Sequence, residues 1–151
     1  NKEKKLLLKK IEKPYGIQDL KLDYLFFKNN EGKLFIVNKE FRNLDTENLN
    51  VNSIGLYFCR LEKELRLSIE GSQIIGPFAK KNVLEISDQQ ANEWLRGNDL
   101  EDIKEKLDET FVILKNKKDF IGSGRLKEGK ILNYVPKERR IKWVLLIMMV
   151  T

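Results

Sequence analysis

Histidine is absent from the chain, and cysteine occurs once, as Cys59. Without imidazole there is no histidine general base, no serine–histidine triad and no histidine metal site. One thiol cannot supply the thiolates of a zinc site, so no metal and no cofactor are expected. Nor can it close an internal disulfide, which favours a reducing compartment and a cytoplasmic location. Long hydrophobic runs are also missing. The longest, WVLLIMMV near the C-terminus, has eight apolar residues, whereas a spanning helix needs about 20. A buried strand or docked segment is expected there, and no membrane partner. The N-terminal NKEKKLLLKKIEK is basic and too poor in apolar residues for a signal peptide.

What the chain does have is charge. Of its 151 residues 34% are charged and 41% hydrophobic, and 29 basic against 23 acidic side chains leave a net charge of +6. The length can bury a real core as one medium domain or two small ones. Charge is segregated along the sequence. Residues 85–109 hold nine acidic and three basic side chains, whereas residues 115–142 hold ten basic and three acidic. Segregation of this kind is what an anion-binding face requires, although an unevenly charged solvated surface has the same composition.

Local patterns place the elements. In DYLFFKNNEGKLFIVNKEF, residues 23–41, two apolar runs flank a turn signal with Gly32 available for positive φ, which predicts a hairpin. Residues 54–70 repeat the pattern, with Leu65, Leu67 and Ile69 alternating as in a half-buried strand. GSQIIGPFAKK reads as a short helix or crossover broken by Pro77. Near residue 81 the pattern changes. VLEI is a short strand, and SDQQANEWLRG a helix with Ser87 and Gln90 as a capping box and Gly97 as terminator. NDLEDIKEKL predicts a second short helix with Leu100, Ile103 and Leu107 inward. Its Glu101, Asp102, Glu105, Asp108 and Glu109 then form a solvated face rather than a catalytic or metal-binding group. From residue 111, FVILK, FIGSGRL, ILNYV and IKWVLLIMMV read as four strands joined by tight turns, suggesting a small mixed barrel. The two halves are expected to pack directly on each other.

The stretch GSGRLKEGKILNYVPKERR, residues 122–140, concentrates the chemistry. Gly124, Gly129 and Lys130 approach a nucleotide P-loop, but Ile131 stands where a magnesium-binding hydroxyl is needed, and the β-branched run that follows is no helix opening. A dinucleotide fingerprint fails for want of the same helix. A basic hairpin accounts for every residue. Gly122 and Gly124 permit a bulge or close backbone approach, Gly129 supplies the turn after Glu128, and Pro136 stops the next strand. Arg125, Lys127 and Lys130 surround the turn, and Lys137, Arg139, Arg140 and Lys142 follow the proline. Flexible or forked cations at the end of a rigid scaffold suit phosphate contacts. Asn133 and Tyr134 could add base or sugar contacts, although a strand tyrosine more often serves the core. The late-chain cations are expected to converge into one exposed cradle.

These residues resemble something known. FVILKNKKDFIGSGRLKEGKILNYVPKERR is similar to the second half of a PUA domain, a small RNA-binding pseudo-barrel. The resemblance rests on a strand with a G-x-G pair, a basic hairpin and N-x-x-P-K-x-x-R, a form similar to the PUA modules of Nol/Nop/Sun RNA cytosine methyltransferases. Upstream, S-x-G at Gly55, R-L-S-I at Arg66–Ile69, I-x-P-x-A-K at residues 75–80 and L-x-G before the acidic stretch resemble large-subunit ribosome-biogenesis factors. Those pair an α+β pre-PUA domain with a C-terminal PUA domain, and their stand-alone form resembles archaeal members. The resemblance covers roughly residues 30–142; the compact hairpin and the ending WVLLIMMVT depart from the biogenesis factors.

The resemblance implies an α+β domain over residues 1–80 followed by a mixed-β PUA-like pseudo-barrel over 81–151. It implies a non-catalytic RNA-binding protein acting on ribosomal precursor RNA, or an accessory to RNA modification, with rRNA or tRNA as partner. Arg125, Lys127, Lys130, Lys137, Arg139 and Arg140 would hold the RNA backbone. The N-terminal domain would be similar to a protein-docking platform. Two other classes compete. In an adaptor, the basic face would bind an acidic protein partner. In an enzyme, acid–base work would fall on carboxylates, lysines or tyrosine, with Asp119 and Glu70 as candidates, each explained more simply by a turn or a strand edge.

Overall fold

The computed structural model describes residues 2–41, 55–108 and 110–140. The expected strand at the C-terminus, Lys142 and Glu109 lie outside the described residues. The chain opens with an element that sequence reading left unplaced, helix α1 (Lys2–Tyr15). Leu7, Ile11 and Tyr15, spaced by four, form its buried stripe, and its many lysines turn outward.

The first sheet is antiparallel throughout, in the order β1 (Tyr24–Lys28), β2 (Lys33–Asn38), β3 (Leu56–Leu61), β4 (Leu65–Leu67). The expected hairpin at residues 29–32 forms. Asn29 Oδ1 accepts from the backbone N–H groups of Glu31 and Lys33, both at 2.9 Å, and Gly32 takes φ 83°. Ile69, expected to continue the strand, instead starts helix α2 (Ile69–Ile75). Ser68 causes the switch. Its Oγ accepts from Gly71 N at 2.9 Å and donates to the Tyr57 carbonyl at 2.6 Å, so it caps the helix while anchoring it to β3. A 3-10 turn, Gly76–Phe78, carries Pro77 and ends the element.

The second sheet has the order β5 (Val83–Glu85), β6 (Phe111–Asn116), β7 (Asp119–Lys127), β8 (Lys130–Leu132), with β5 parallel to β6 and the other pairs antiparallel. It is mixed, as expected, but open: no closed barrel forms among the described residues. β8 has only three residues, and its outer edge is met by one bridge, Leu100 to Ile131. Helix α3 (Asp88–Leu95) follows β5 with the expected capping box. Gln90 N donates to Ser87 Oγ at 3.1 Å and Ser87 N donates to Gln90 Oε1 at 2.9 Å. Ser87→Ala removes half of this box. It should lower stability by about 1 kcal/mol, seen as a lower urea midpoint at unchanged m-value.

The helix expected over NDLEDIKEKL does not form. Leu100 exchanges backbone hydrogen bonds with Ile131, at 3.0 and 2.8 Å, and Ile103 N donates to the Gly129 carbonyl at 2.9 Å. Pairing with β8 and its turn therefore holds Leu100 and Ile103 inward in non-helical backbone. The acidic side chains Glu101, Asp102, Glu105 and Asp108 are exposed all the same.

Two cores meet along β6. Ile113 belongs to the first, with Ile11, Tyr15, Phe58, Cys59 and Ile75; Val112 and Leu114 belong to the second, with Leu84, Trp94, Leu100 and Ile131. Alternate residues of one strand serve opposite cores, as strand geometry dictates. Hydrogen bonds cross the same seam. The Tyr15 carbonyl accepts from Lys80 N at 2.8 Å, Asn82 Nδ2 donates to the Pro14 carbonyl at 2.6 Å, and Ser123 Oγ donates to the Leu67 carbonyl at 2.7 Å.

Candidate nucleic-acid interface

The β7–β8 hairpin turns on Glu128 (φ 51°) and Gly129 (φ 78°), two consecutive left-handed residues as a tight hairpin needs. That places Lys127 opposite Lys130. Gly124 of β7 lies against the Trp94 ring, Ile131 and the Leu132 carbonyl, where a Cβ would have no room. The glycines of G-x-G thus bring the basic hairpin down onto helix α3.

The cations do not build one free cradle. Arg125 pairs with Glu64 and lies 5.8 Å from the Phe111 ring centroid. Lys130 pairs with Glu101 at 3.3 Å, and Arg139 with Glu70. Arg140 Nε donates to the Val135 carbonyl at 3.0 Å, and its side chain covers Gly97. Lys127 and Lys137 are exposed and have no ion-pair partner among the described residues. Asn133 is spent on the fold. Its Nδ2 donates to the Trp94 and Asn98 carbonyls, both at 2.8 Å, while Oδ1 accepts from Val135 N at 2.7 Å. Those bonds turn the chain out of β8 after Leu132, so the strand expected over ILNYV is cut short. Tyr134 consequently leaves the sheet and is 41% exposed rather than core.

Glu70 and Asp119, the carboxylates considered for catalysis, are accounted for structurally. Glu70 holds Arg139, and Asp119 sits opposite Asn116 at the β6–β7 turn. Among the described residues no group of three or more acidic, cysteine or histidine side chains is placed to hold a metal.

A second set of cations, absent from the sequence reading, lies on the first sheet. Lys33 of β2 is the direct partner of Arg60 on β3, and Arg60 is the partner of Arg66 on β4. Directly paired residues share a face, so three cations stand in a row across three strands. Like charges so opposed destabilise a sheet. Carboxylates relieve only part of this: Glu31 lies 3.8 Å from Lys33, and Glu62 2.9 Å from Arg60. Arg66 has no carboxylate partner among the described residues. A register shift in β3 brings Tyr57 to the same face, where Lys33 Nζ lies 5.6 Å from its ring. Burial raises the Tyr57 hydroxyl pKa, and the neighbouring Arg66 partly opposes this. The row ends against the second sheet, where the Arg66 guanidinium lies 4.5 Å from the Tyr134 ring centroid. Alternation alone would have put Arg60 and Arg66 on outward faces; their alignment with Lys33 depends on cross-strand register.

Residues 81–141 match the family model described as the methyltransferase RsmF PUA domain. This stretch is a PUA domain. It runs from just before β5 to just past the 3-10 turn Lys137–Arg139. The match bears out the resemblance to the PUA module of Nol/Nop/Sun RNA methyltransferases, and a PUA domain is an RNA-binding module. The search of curated proteins returned no match to the chain.

Proposed function

We propose that this chain is an RNA-binding protein without catalytic activity of its own, acting on ribosomal precursor RNA or as an accessory to RNA modification. The observation that carries this reading is the PUA domain, whose hairpin end and post-proline turn present Lys127 and Lys137 to solvent. Exposed ammonium groups at a strand end and a turn can release counterions from a phosphate backbone, and binding of that kind weakens steeply with salt. Arg139 and Arg140 are poor sites for a test. One is held by Glu70 and the other holds the Val135 carbonyl, so reversing either would disturb the fold.

The doubly reversed variant Lys127→Glu/Lys137→Glu should fold normally. It should bind a fluorescein-labelled RNA about tenfold or more weakly at low salt, with the slope of log affinity against log salt reduced by about 2. Anisotropy titrations over a range of NaCl concentrations measure both. Polyglutamate is the control. Competition by polyglutamate as effective as by RNA would move the reading to an adaptor for acidic proteins. No RNA binding by the parent chain would overturn the reading.

A further inference from the structure

We propose that the row Lys33–Arg60–Arg66 and Tyr134 form a composite single-stranded RNA site, to which the first sheet contributes phosphate contacts and the PUA domain one base-stacking platform. This rests on the RNA-binding reading but moves the centre of the interface off the PUA domain.

Three observations converge. First, three cations aligned in direct cross-strand register repel one another, and the central and terminal arginines have one carboxylate between them. An arrangement that opposes folding in isolation is relieved by a bound polyanion. Second, the row faces a cleft that it shares with the PUA domain. Lys33, Arg60 and Arg66 line it together with Tyr134, Pro136 and Arg139, and its one carboxylate, Glu70, is taken up by Arg139. A shallower continuation brings in Lys63 and Arg125, along with Glu62 and Glu64, which pair with Arg60 and Arg125. Third, the aromatic at the junction is a tyrosine beyond a strand end, 41% exposed, whose ring is steadied by Phe111 at 5.6 Å between centroids and by the Arg66 guanidinium at 4.5 Å.

The chemistry selects the occupant. An acidic peptide could satisfy the cations but would have no use for an exposed ring. A duplex keeps its bases stacked inside, out of reach of Tyr134. An unpaired strand offers both phosphates and a free base face, the combination that stacking platforms in basic grooves recognise. The spacing is compatible: adjacent strands lie about 4.8 Å apart, so the row spans about 10 Å from Lys33 to Arg66.

The test uses the full chain, a fluorescein-labelled uridine-rich 12-mer and a blunt RNA duplex of similar charge. Arg66→Gln should weaken 12-mer binding about tenfold and lower the salt slope by about 1. Tyr134→Leu should weaken the 12-mer by about 5- to 150-fold, the range of one lost base stack, and leave duplex binding unchanged. Tyr134→Phe, which keeps the ring, should restore affinity for the 12-mer. Melting curves confirm that each variant is folded. RNA binding that is intact in Arg66→Gln and Tyr134→Leu, yet lost in Lys127→Glu/Lys137→Glu, would overturn this inference and leave the RNA reading standing. Equal losses for the 12-mer and polyglutamate in Arg66→Gln, with Tyr134→Leu silent, would overturn it in favour of an acidic partner. Failure of the parent chain to bind either RNA overturns both.

Discussion

Trp94→Ala should remove about 3–5 kcal/mol of stability, the usual loss for a large buried aromatic. For a domain stable by about 5–15 kcal/mol, that is roughly a fifth of its stability at the least and all of it at the most. Trp94 is fully buried at the centre of the second core, and its ring fills the space that Gly124 leaves open. The same side chain carries an internal penalty: its Nε1–H is buried with no acceptor among the described residues. An orphaned donor costs about 1–3 kcal/mol. Trp94→Phe should therefore lose far less than the difference in ring size suggests, since it removes the unpaired N–H along with the second ring. Urea unfolding followed by circular dichroism measures both variants. A phenylalanine variant as unstable as the alanine one would show that Nε1 has an acceptor after all.

Alkaline pH should unfold the protein through its first core. Burial pushes the Cys59 thiol up from its ordinary value of 9.0 to about 12, and burial raises the Tyr15 hydroxyl in the same cluster as well. The unfolded chain releases the thiol proton near pH 9, whereas the folded chain keeps it until about pH 12. Across that window the folded state holds more protons, so stability is full below about pH 9 and falls as pH rises. At about 1.4 kcal/mol per unit, the thiol alone accounts for a loss of about 4 kcal/mol by pH 12. Cys59→Ala has lower stability at neutral pH but lacks this proton, and its stability should decline less steeply between pH 9 and 11. Urea midpoints at several pH values give the two slopes. Parallel slopes would mean that Cys59 ionises no differently in the folded chain.

What could be read in advance was local. The turn at Asn29–Gly32 and the capping box of Ser87 and Gln90 each depend on residues within a few positions, and each is present. The PUA resemblance rested on the same short-range signals. Helix α1 was legible too, in the four-residue spacing of Leu7, Ile11 and Tyr15, but the lysines around it hid the stripe. The remaining differences came from distant partners. NDLEDIKEKL has helical spacing, yet Leu100 is held by Ile131, 31 positions away. Asn133 looked available to RNA until Trp94 and Asn98 claimed its amide. The cation row depends on the register that sets Lys33 beside Arg60, 27 positions later, and no periodicity in either strand encodes it.

The seam along β6 has a consequence for how the PUA domain can be handled. By sequence match it is a portable module beginning at residue 81. Here its first residues are tied to the end of α1 through Tyr15 and Pro14, and its strand β6 gives Ile113 to the neighbouring core. Cut at that boundary, the excised piece would carry a torn hydrophobic face and leave the Lys81 amide, the Asn82 side chain and the Ser123 hydroxyl without their acceptors. In this chain the module has given up its independence, and what it gained is a fixed angle and distance to the sheet beside it.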